Sequence, residues 1–305
     1  MNKRRTMTVL AAITAYVGAV MITKAVTSTE RRTIKPYFNG RSPYVLAHRG
    51  GMKLAPENTM AAFKEAHAFQ VDGFEIDVRL TKDEEIVVFH DAYVDRVSNG
   101  NGKVINHTLA ELRTLDFGYH FKDVHGNYTF RGHQDAKIVT LKELIEAFPK
   151  MRINIDIKDD SDTAAGKIVP SLLYRLIHDL DAFDRVLVTS FCDEQVQRFK
   201  IYGDERIATG ASRQEVTKAF LLFNTGFGHL YKPSVDTFQI PVQFKGIRLD
   251  TEKFINYLQT FNLPVGYWVI NTIDEMDELL IKGAHTIVTD RPDLAYHLIN
   301  EKYRK

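Results

Sequence analysis

The sequence predicts an α/β fold, a TIM-type (β/α)8 barrel with a small insertion, preceded by an N-terminal transmembrane or signal segment. Two observations carry the barrel. Apolar β-type runs alternate with runs of helical spacing about eight times, which argues for a parallel sheet. The roughly 265 residues after the N-terminal segment fit the about 250 typical of one such barrel. A third observation carries the N-terminal segment: residues 7–23 contain no charge and lie between Lys3, Arg4, Arg5 and Lys24.

Roughly 17–25 apolar residues cross a bilayer, so this run sits at the short end of that range. Basic residues ahead of it favour a cytoplasmic N-terminus, with the rest of the chain outside. The expectation is an uncleaved signal anchor within residues 1–25 and a catalytic domain on the non-cytoplasmic side. A cleaved secretory signal, with Thr23 and Ala25 as the small residues near the cut, leaves a secreted protein. A helix of a soluble protein is the third reading. Residues 26–43 are polar, carry Pro36, Gly40 and Pro43, and read as a linker, which leaves 44–305 for the barrel.

Within the barrel, Tyr44–His48 is a short strand. Residues 58–70 follow with helical spacing at Met60, Ala61, Phe63 and Ala66. Gly73–Leu80 alternates strictly, and residues 86–89 form another extended run. Arg152–Ile157 is a strand, followed by a helix over 163–180. Further strands are read at 186–190, 206–209, 237–240 (the weakest), 264–270 and 286–289, with helices at 252–260, 274–282 and 293–300. Residues 92–137 break the rhythm. They carry Asn99, Gly100, Asn101 and Gly102 and a polar run over 120–134, too long for a barrel loop, and read as a small inserted subdomain.

The net charge of +1 provides no global field for a polyanion, so nucleic acid is not an expected partner and any charged substrate must be recognised locally. The single cysteine, Cys192, makes no internal disulfide and no Cys-rich zinc site. Oligomeric state is not encoded in any feature of the sequence.

The chemistry concentrates on two strands. In GFEIDVRL, Phe74, Ile76, Val78 and Leu80 face one way and Glu75, Asp77 and Arg79 the other. Two carboxylates on one buried face are costly unless something positive joins them, either a metal ion or basic side chains. A structural salt bridge is the ordinary outcome for an arbitrary Glu-x-Asp. In RINIDIK, Asn154, Asp156 and Lys158 again oppose an isoleucine face. Three carboxylates from two strands suit a hard cation, Ca²⁺ or Mg²⁺, and Lys158 can meet an anionic oxygen. His48 ends YVLAH just before Arg49, and His90 ends IVVFH just before Asp91. A lone histidine is more often structural. Two at equivalent strand ends suit an acid and a base near neutrality, at the barrel face where chemistry sits.

In order along the chain stand AHRGG (47–51), PENT (56–59), Ala62-Phe63, Glu75-x-Asp77, Leu80-Thr81-Lys82-Asp83, Val88 and His90-Asp91. Asp95-Arg96, Asn99-Gly100, Gly102, Asp156-x-Lys158, WVIN (268–271) and VTDRP (288–292) continue the series. Together they resemble the glycerophosphodiester phosphodiesterase family over residues 44–295. The resemblance implies metal-dependent hydrolysis of glycerophosphodiesters to glycerol 3-phosphate and an alcohol. It implies one divalent cation, Ca²⁺ or Mg²⁺, held by Glu75, Asp77 and Asp156, with His48 and His90 as the acid–base pair. Arg49 and Lys158 bind phosphate oxygens in this reading, and Trp268 lines the pocket. The family commonly attacks phosphorus with the neighbouring glycerol hydroxyl, and water then opens the cyclic phosphate.

Three positions depart from the pattern: Asp156 stands where Glu is usual, Val269 where Thr is usual, and Val139 near a usual Pro. An alternative substrate class is lysophospholipids at a membrane, by lysophospholipase D activity, suggested by the N-terminal segment and by residues 219–223 (AFLLF) with Phe227. A non-catalytic binding protein on a barrel scaffold is the remaining alternative, and retention of both histidines, Arg49, Lys158 and all three acidic positions argues against it.

Overall fold

The computed structural model describes the backbone of residues 3–304 and the side chains of residues 6–304. The side chains of Lys3, Arg4 and Arg5, expected to border the apolar run, lie outside the described residues. The chain forms strands β1 (Tyr44–His48), β2 (Gly73–Leu80), β3 (Ile86–Val88), β4 (Arg152–Ile157), β5 (Val186–Thr189) and β6 (Ala208–Thr209). It continues with β7 (Phe238–Pro241), β8 (Gln243–Phe244), β9 (Ile247–Arg248), β10 (Val265–Trp268) and β11 (Thr286–Thr289). Helices are α1 (Lys3–Val26), α2 (Met60–Ala68), α3 (Leu109–Thr114), α4 (Leu141–Ala147), α5 (Ala164–Asp179) and α6 (Asp193–Lys200). Then come α7 (Arg213–Asn224), α8 (Glu252–Gln259), α9 (Ile273–Ile281) and α10 (Pro292–Leu298).

Eight strands run parallel in the order β6-β5-β4-β2-β1-β11-β10-β7. The two ends of that path meet at a parallel bridge between Gly210 and Thr237. Asp236 N–H donates to Thr209 at 2.8 Å and Ala211 N–H to Thr237 at 2.9 Å, so the sheet curls into a TIM-type barrel. Parallel strands need a crossover, and helices supply it. Their starts are set by side-chain caps: the hydroxyls of Thr59, Thr163, Ser212, Thr251 and Thr272 accept N–H groups of α2, α5, α7, α8 and α9. Phe74, Ile76, Val78, Ile153 and Ile155 are fully buried beneath the helices. Each contributes about 1.5–3 kcal/mol by leaving water. The opposite faces of β2 and β4, freed from packing, carry the acidic residues into the barrel.

Residues 92–137 lie between β3 and α4, and Val94, Val104, Leu112 and Phe117 form a small core of their own with Val87, Phe89 and Ile138. Two features differ from the sequence reading. The run 86–89 is not a barrel strand: β3 pairs antiparallel with β2, Val78 opposite Val88, so His48 and His90 do not end equivalent strands. The β8–β9 hairpin was not anticipated. Its turn uses Lys245 at φ 47° and Gly246 at φ 82°.

Residues 6–26 of α1 form the one described helix long and apolar enough to cross a membrane, and none of that stretch is buried. At 1.5 Å per residue they extend about 31 Å, the thickness of a bilayer core. α1 meets the barrel at one corner. There the Tyr16 hydroxyl donates to the Thr225 carbonyl, Thr23 Oγ1 lies 2.8 Å from His229 Nε2, and the Tyr16 ring sits edge-on to Phe227. Residues 26–43 are partly stitched to the barrel floor. Arg32 pairs with buried Asp236 at 2.7 Å, and Tyr37 and Phe38 are buried with Tyr44 and Leu187.

Candidate active site

Strand register assembles the site. His48 at the end of β1 is level with Glu75 of β2. Asp77 of β2 is directly opposite Asp156 of β4. These positions sit at the C-terminal ends of the strands, where the loops are free to converge. The turn after β1 is left-handed through Arg49 (φ 51°), Gly50 (φ 82°) and Gly51 (φ 88°). A Cβ on Gly50 would lie 2.8 Å from Ala62 Cβ, and one on Gly51 would lie 2.9 Å from Pro292 Cγ, so both positions require glycine. This turn swings Arg49 back over the strands. Asn58 N–H holds it by donating to the Arg49 carbonyl at 2.9 Å.

Asp77 and Asp156 are buried, Glu75 is partly so, and the three are crowded. Lys158 Nζ lies 3.0 Å from Asp77 and 2.7 Å from Asp156, and Arg49 Nε approaches Asp77 at 3.1 Å without hydrogen-bond alignment. Among the described residues no group of three or more His, Cys, Asp and Glu side chains is already arranged around a metal ion. The basic side chains occupy that position instead. They do not satisfy the carboxylates: Glu75 Oε2, Asp77 Oδ2 and Asp156 Oδ1 are each buried without a hydrogen-bond partner. Burial and the negative charge of Asp77 push the Glu75 carboxyl up to about 7. Burial likewise raises Asp156 despite its lysine partner. Asp77 is held below the usual range because Lys158 and Arg49 together outweigh its burial. Three oxygen donors left over in one buried pocket fit a hard divalent cation.

Each histidine is oriented by a carboxylate. His48 Nδ1 is 2.6 Å from Asp290 Oδ1, while its Nε2 faces Glu75 at 3.7 Å. Asn271 fixes Asp290 from behind, donating from Nδ2 at 2.8 Å and accepting from the Asp290 N–H at 2.9 Å. Burial pulls the His48 pKa down, but the Asp290 hydrogen bond and the Glu75 charge outweigh it, and the net shift is upward. His90 Nδ1 is 2.6 Å from Asp91. Arg96, from the insertion, clamps Asp91 at 2.5 Å and Glu57 at 2.7 and 2.8 Å, and Glu57 also takes Arg49 at 3.0 Å. Burial lowers the His90 pKa, and Asp77 and Asp91 oppose that shift without cancelling it. Arg79 donates to the carbonyls of His90 at 2.8 Å and Lys158 at 3.2 Å, which pins the backbone beneath both.

All eight residues singled out in the sequence, His48, Arg49, Glu75, Asp77, His90, Asp156, Lys158 and Trp268, line one cavity of about 550 Å³. Trp268 is held by its indole N–H on the Gln239 carbonyl at 2.9 Å, with its ring against Phe191. Sequence reasoning missed the orienting residues Asp290, Asn271, Glu57, Arg96 and Arg79. Several stood inside recognisable motifs, but only the fold reveals what they touch. The apolar run 219–223 divides: Ala219 is buried in the core, Phe223 packs at a tilt against Phe254 and Tyr257, and of the run Phe220 and Leu221 reach the cavity.

Residues 48–294 match the model of the glycerophosphoryl diester phosphodiesterase family. The Bacillus subtilis relative YhdW is 32% identical over 256 residues, covering 82% of this chain and 95% of that protein. A glycerophosphodiester phosphodiesterase of Caldanaerobacter subterraneus subsp. tengcongensis is 29% identical over 265 residues, 84% of this chain and 98% of that protein. Among solved structures, a glycerophosphoryl diester phosphodiesterase domain from Mycobacterium tuberculosis superposes with a TM-score of 0.73 at 19% identity, covering 84% of this chain and 99% of the other. An Oleispira antarctica phosphodiesterase, solved with the product sn-glycerol-3-phosphate, gives 0.65 at 24% identity, covering 85% and 97%. At these identities the two structures bear on the fold.

Proposed function

The chain belongs to the glycerophosphoryl diester phosphodiesterase family, and from that premise we propose that its cavity hydrolyses glycerophosphodiesters to glycerol 3-phosphate and an alcohol. The observation that carries the assignment to this cavity is the convergence of two carboxylate-oriented histidines on a cluster of three acids, a lysine and an arginine.

Glu75, Asp77 and Asp156 would hold a divalent cation, Ca²⁺ or Mg²⁺; each keeps one carboxylate oxygen without a partner within the protein. When bound, the cation supplies positive charge to the phosphoryl oxygens. Arg49 and Lys158 add their own charge to the same oxygens. Asp156 is one methylene shorter than the family's usual Glu, yet its register opposite Asp77 keeps it in the cluster. His48 and His90 share the proton transfers: one accepts from the attacking hydroxyl and the other donates to the departing alcohol. Asp290 and Asp91 fix the ring nitrogen that each histidine turns to the cavity. Trp268 and Phe191 line one side of the cavity, ring against ring.

We also read α1 as a single membrane span with the barrel on the non-cytoplasmic side. Its length and composition support this, as does the run of Lys3, Arg4 and Arg5 ahead of it. Turnover of glycerophosphocholine by the purified protein, followed as glycerol 3-phosphate release, tests the catalytic reading. His48→Ala and His90→Ala should each lose roughly 10²-fold or more in kcat. Near-native turnover by either variant would remove that histidine from the mechanism.

A further inference from the structure

Resting on the diesterase reading, we propose that Arg96 is a positioning residue that joins the proton-transferring His90 to the phosphate-binding Arg49, and so makes the insertion part of the active site. Arg96 does not line the cavity, so any effect on turnover must pass through groups that do. Its guanidinium reaches two carboxylates. Nε donates to Asp91 Oδ2 at 2.5 Å, and the two terminal nitrogens donate to both oxygens of Glu57 at 2.8 and 2.7 Å. Each carboxylate also holds a residue of the reaction centre. Asp91 Oδ1 lies 2.6 Å from His90 Nδ1, and Glu57 Oε1 accepts from Arg49 Nη1 at 3.0 Å. One planar group therefore aims two side chains, Arg49 from the loop after β1 and His90 from the loop after β3.

Charge and shape explain why an arginine stands here. Burial pushes the Glu57 carboxyl up, but the Arg96 hydrogen bonds and the charge of Arg49 outweigh it and hold the group below its usual range. Asp91 is held low in the same way: burial raises it, and the hydrogen bonds from Arg96 and His90 bring it down further. Both groups thus stay ionised and keep accepting near neutrality. A lysine ammonium carries the same charge without the planar fork and cannot hold both carboxylates in one geometry. The Arg96 side chain is 48% exposed, so its ion pairs add little to stability on their own. Its place is set by the insertion. Ser98 N–H donates to the Val94 carbonyl at 3.1 Å and closes the turn that carries Arg96. Val94 is buried in the small core with Val104, Leu112 and Phe117, and Phe89, the residue before His90, belongs to the same core. The insertion thereby fixes both the guanidinium and the backbone that leads to the histidine.

The test measures kcat and KM for glycerol 3-phosphate release from glycerophosphocholine by the full chain and by Glu57→Gln, Asp91→Asn, Arg96→Ala and Arg96→Lys. Arg49 meets charge that the bound phosphodiester already carries, so Glu57→Gln should raise KM roughly 10-fold with a smaller change in kcat. His90 moves its proton only during reaction, so Asp91→Asn should lower kcat roughly 10-fold with KM little changed. Arg96→Ala should do both. Arg96→Lys should show the same two losses, so the reading does not depend on the alanine variant folding. In a His90→Ala background, Arg96→Ala should lower kcat no further and still raise KM. Native constants in Arg96→Ala, or full recovery by Arg96→Lys, overturn the positioning role and leave the diesterase reading standing. So does an equal fall in kcat in both backgrounds with KM unchanged, which is the signature of lost folded protein. Absence of turnover by the native chain overturns the diesterase reading and the positioning role with it.

Discussion

Asp290→Asn probes the claim that His48 works because a buried carboxylate orients it. Asp290 lies 2.6 Å from His48 Nδ1 and accepts from Asn271 Nδ2 at 2.8 Å, each on a different oxygen. An amide at this position keeps the shape but has one acceptor oxygen for two donors. Either His48 or Asn271 then faces an N–H group instead of an oxygen. The interaction removed is a charge-assisted hydrogen bond at a buried position, worth about 1.5–3 kcal/mol. If it is fully expressed in the transition state, kcat falls roughly 10- to 150-fold. KM should change little, because Asp290 does not line the cavity. The informative assay is a double-mutant cycle with His48→Ala on glycerophosphocholine. Since Asp290 acts through His48, Asp290→Asn should cost nothing further once the imidazole is gone. A loss as large in the His48→Ala background as in the native one would refute the positioning role and make Asp290 a purely structural residue.

Two more expectations follow from groups away from the cleft. His285 packs on the rings of Phe38 and Tyr44, and burial followed by the charge of Arg152 lowers its pKa to about 4. The unfolded chain protonates this residue near its ordinary 6.5, so between those pH values the unfolded state holds the extra proton and stability falls as pH falls. Relative to His285→Asn, the native protein should lose about 2 kcal/mol between pH 7 and pH 4.5 in urea unfolding; a gap independent of pH would contradict the assignment. For the membrane span, a chain beginning at Ser28 keeps the Arg32–Asp236 pair and should be soluble and active, whereas protease added to intact cells should digest the barrel of the full chain. Digestion only after lysis would mean reversed topology.

Much of this was legible in the sequence because two periodicities were clean. Strict alternation in β2 and β4 sorts Glu75, Asp77 and Asp156 from the opposite, apolar faces, and register makes Asp77 and Asp156 neighbours. The glycines after His48 were legible as a motif, and their steric reason came from Ala62 and Pro292, both distant in sequence. What periodicity could not supply was contact across the chain. Asp290 stands 242 positions from His48, and Arg96 stands 39 from Glu57. A carboxylate or guanidinium on a loop carries no sign of which partner the fold will bring to it. The run ending at His90 was misassigned for a related reason: an extended apolar stretch reads the same whether it pairs parallel or antiparallel. The β8–β9 strands, two residues each, are too short for alternation to register.

Phosphodiester hydrolysis here is proposed to need a cation held by Glu75, Asp77 and Asp156, and its removal and return test this most directly. Glycerol 3-phosphate release from glycerophosphocholine is followed in the purified protein before chelation, after exhaustive chelation, and after Ca²⁺ or Mg²⁺ is returned. Glu75, Asp77 and Asp156 each leave a buried oxygen without a partner, so activity should vanish with the cation and return with it. Undiminished release from protein in which no metal is detected would contradict the account.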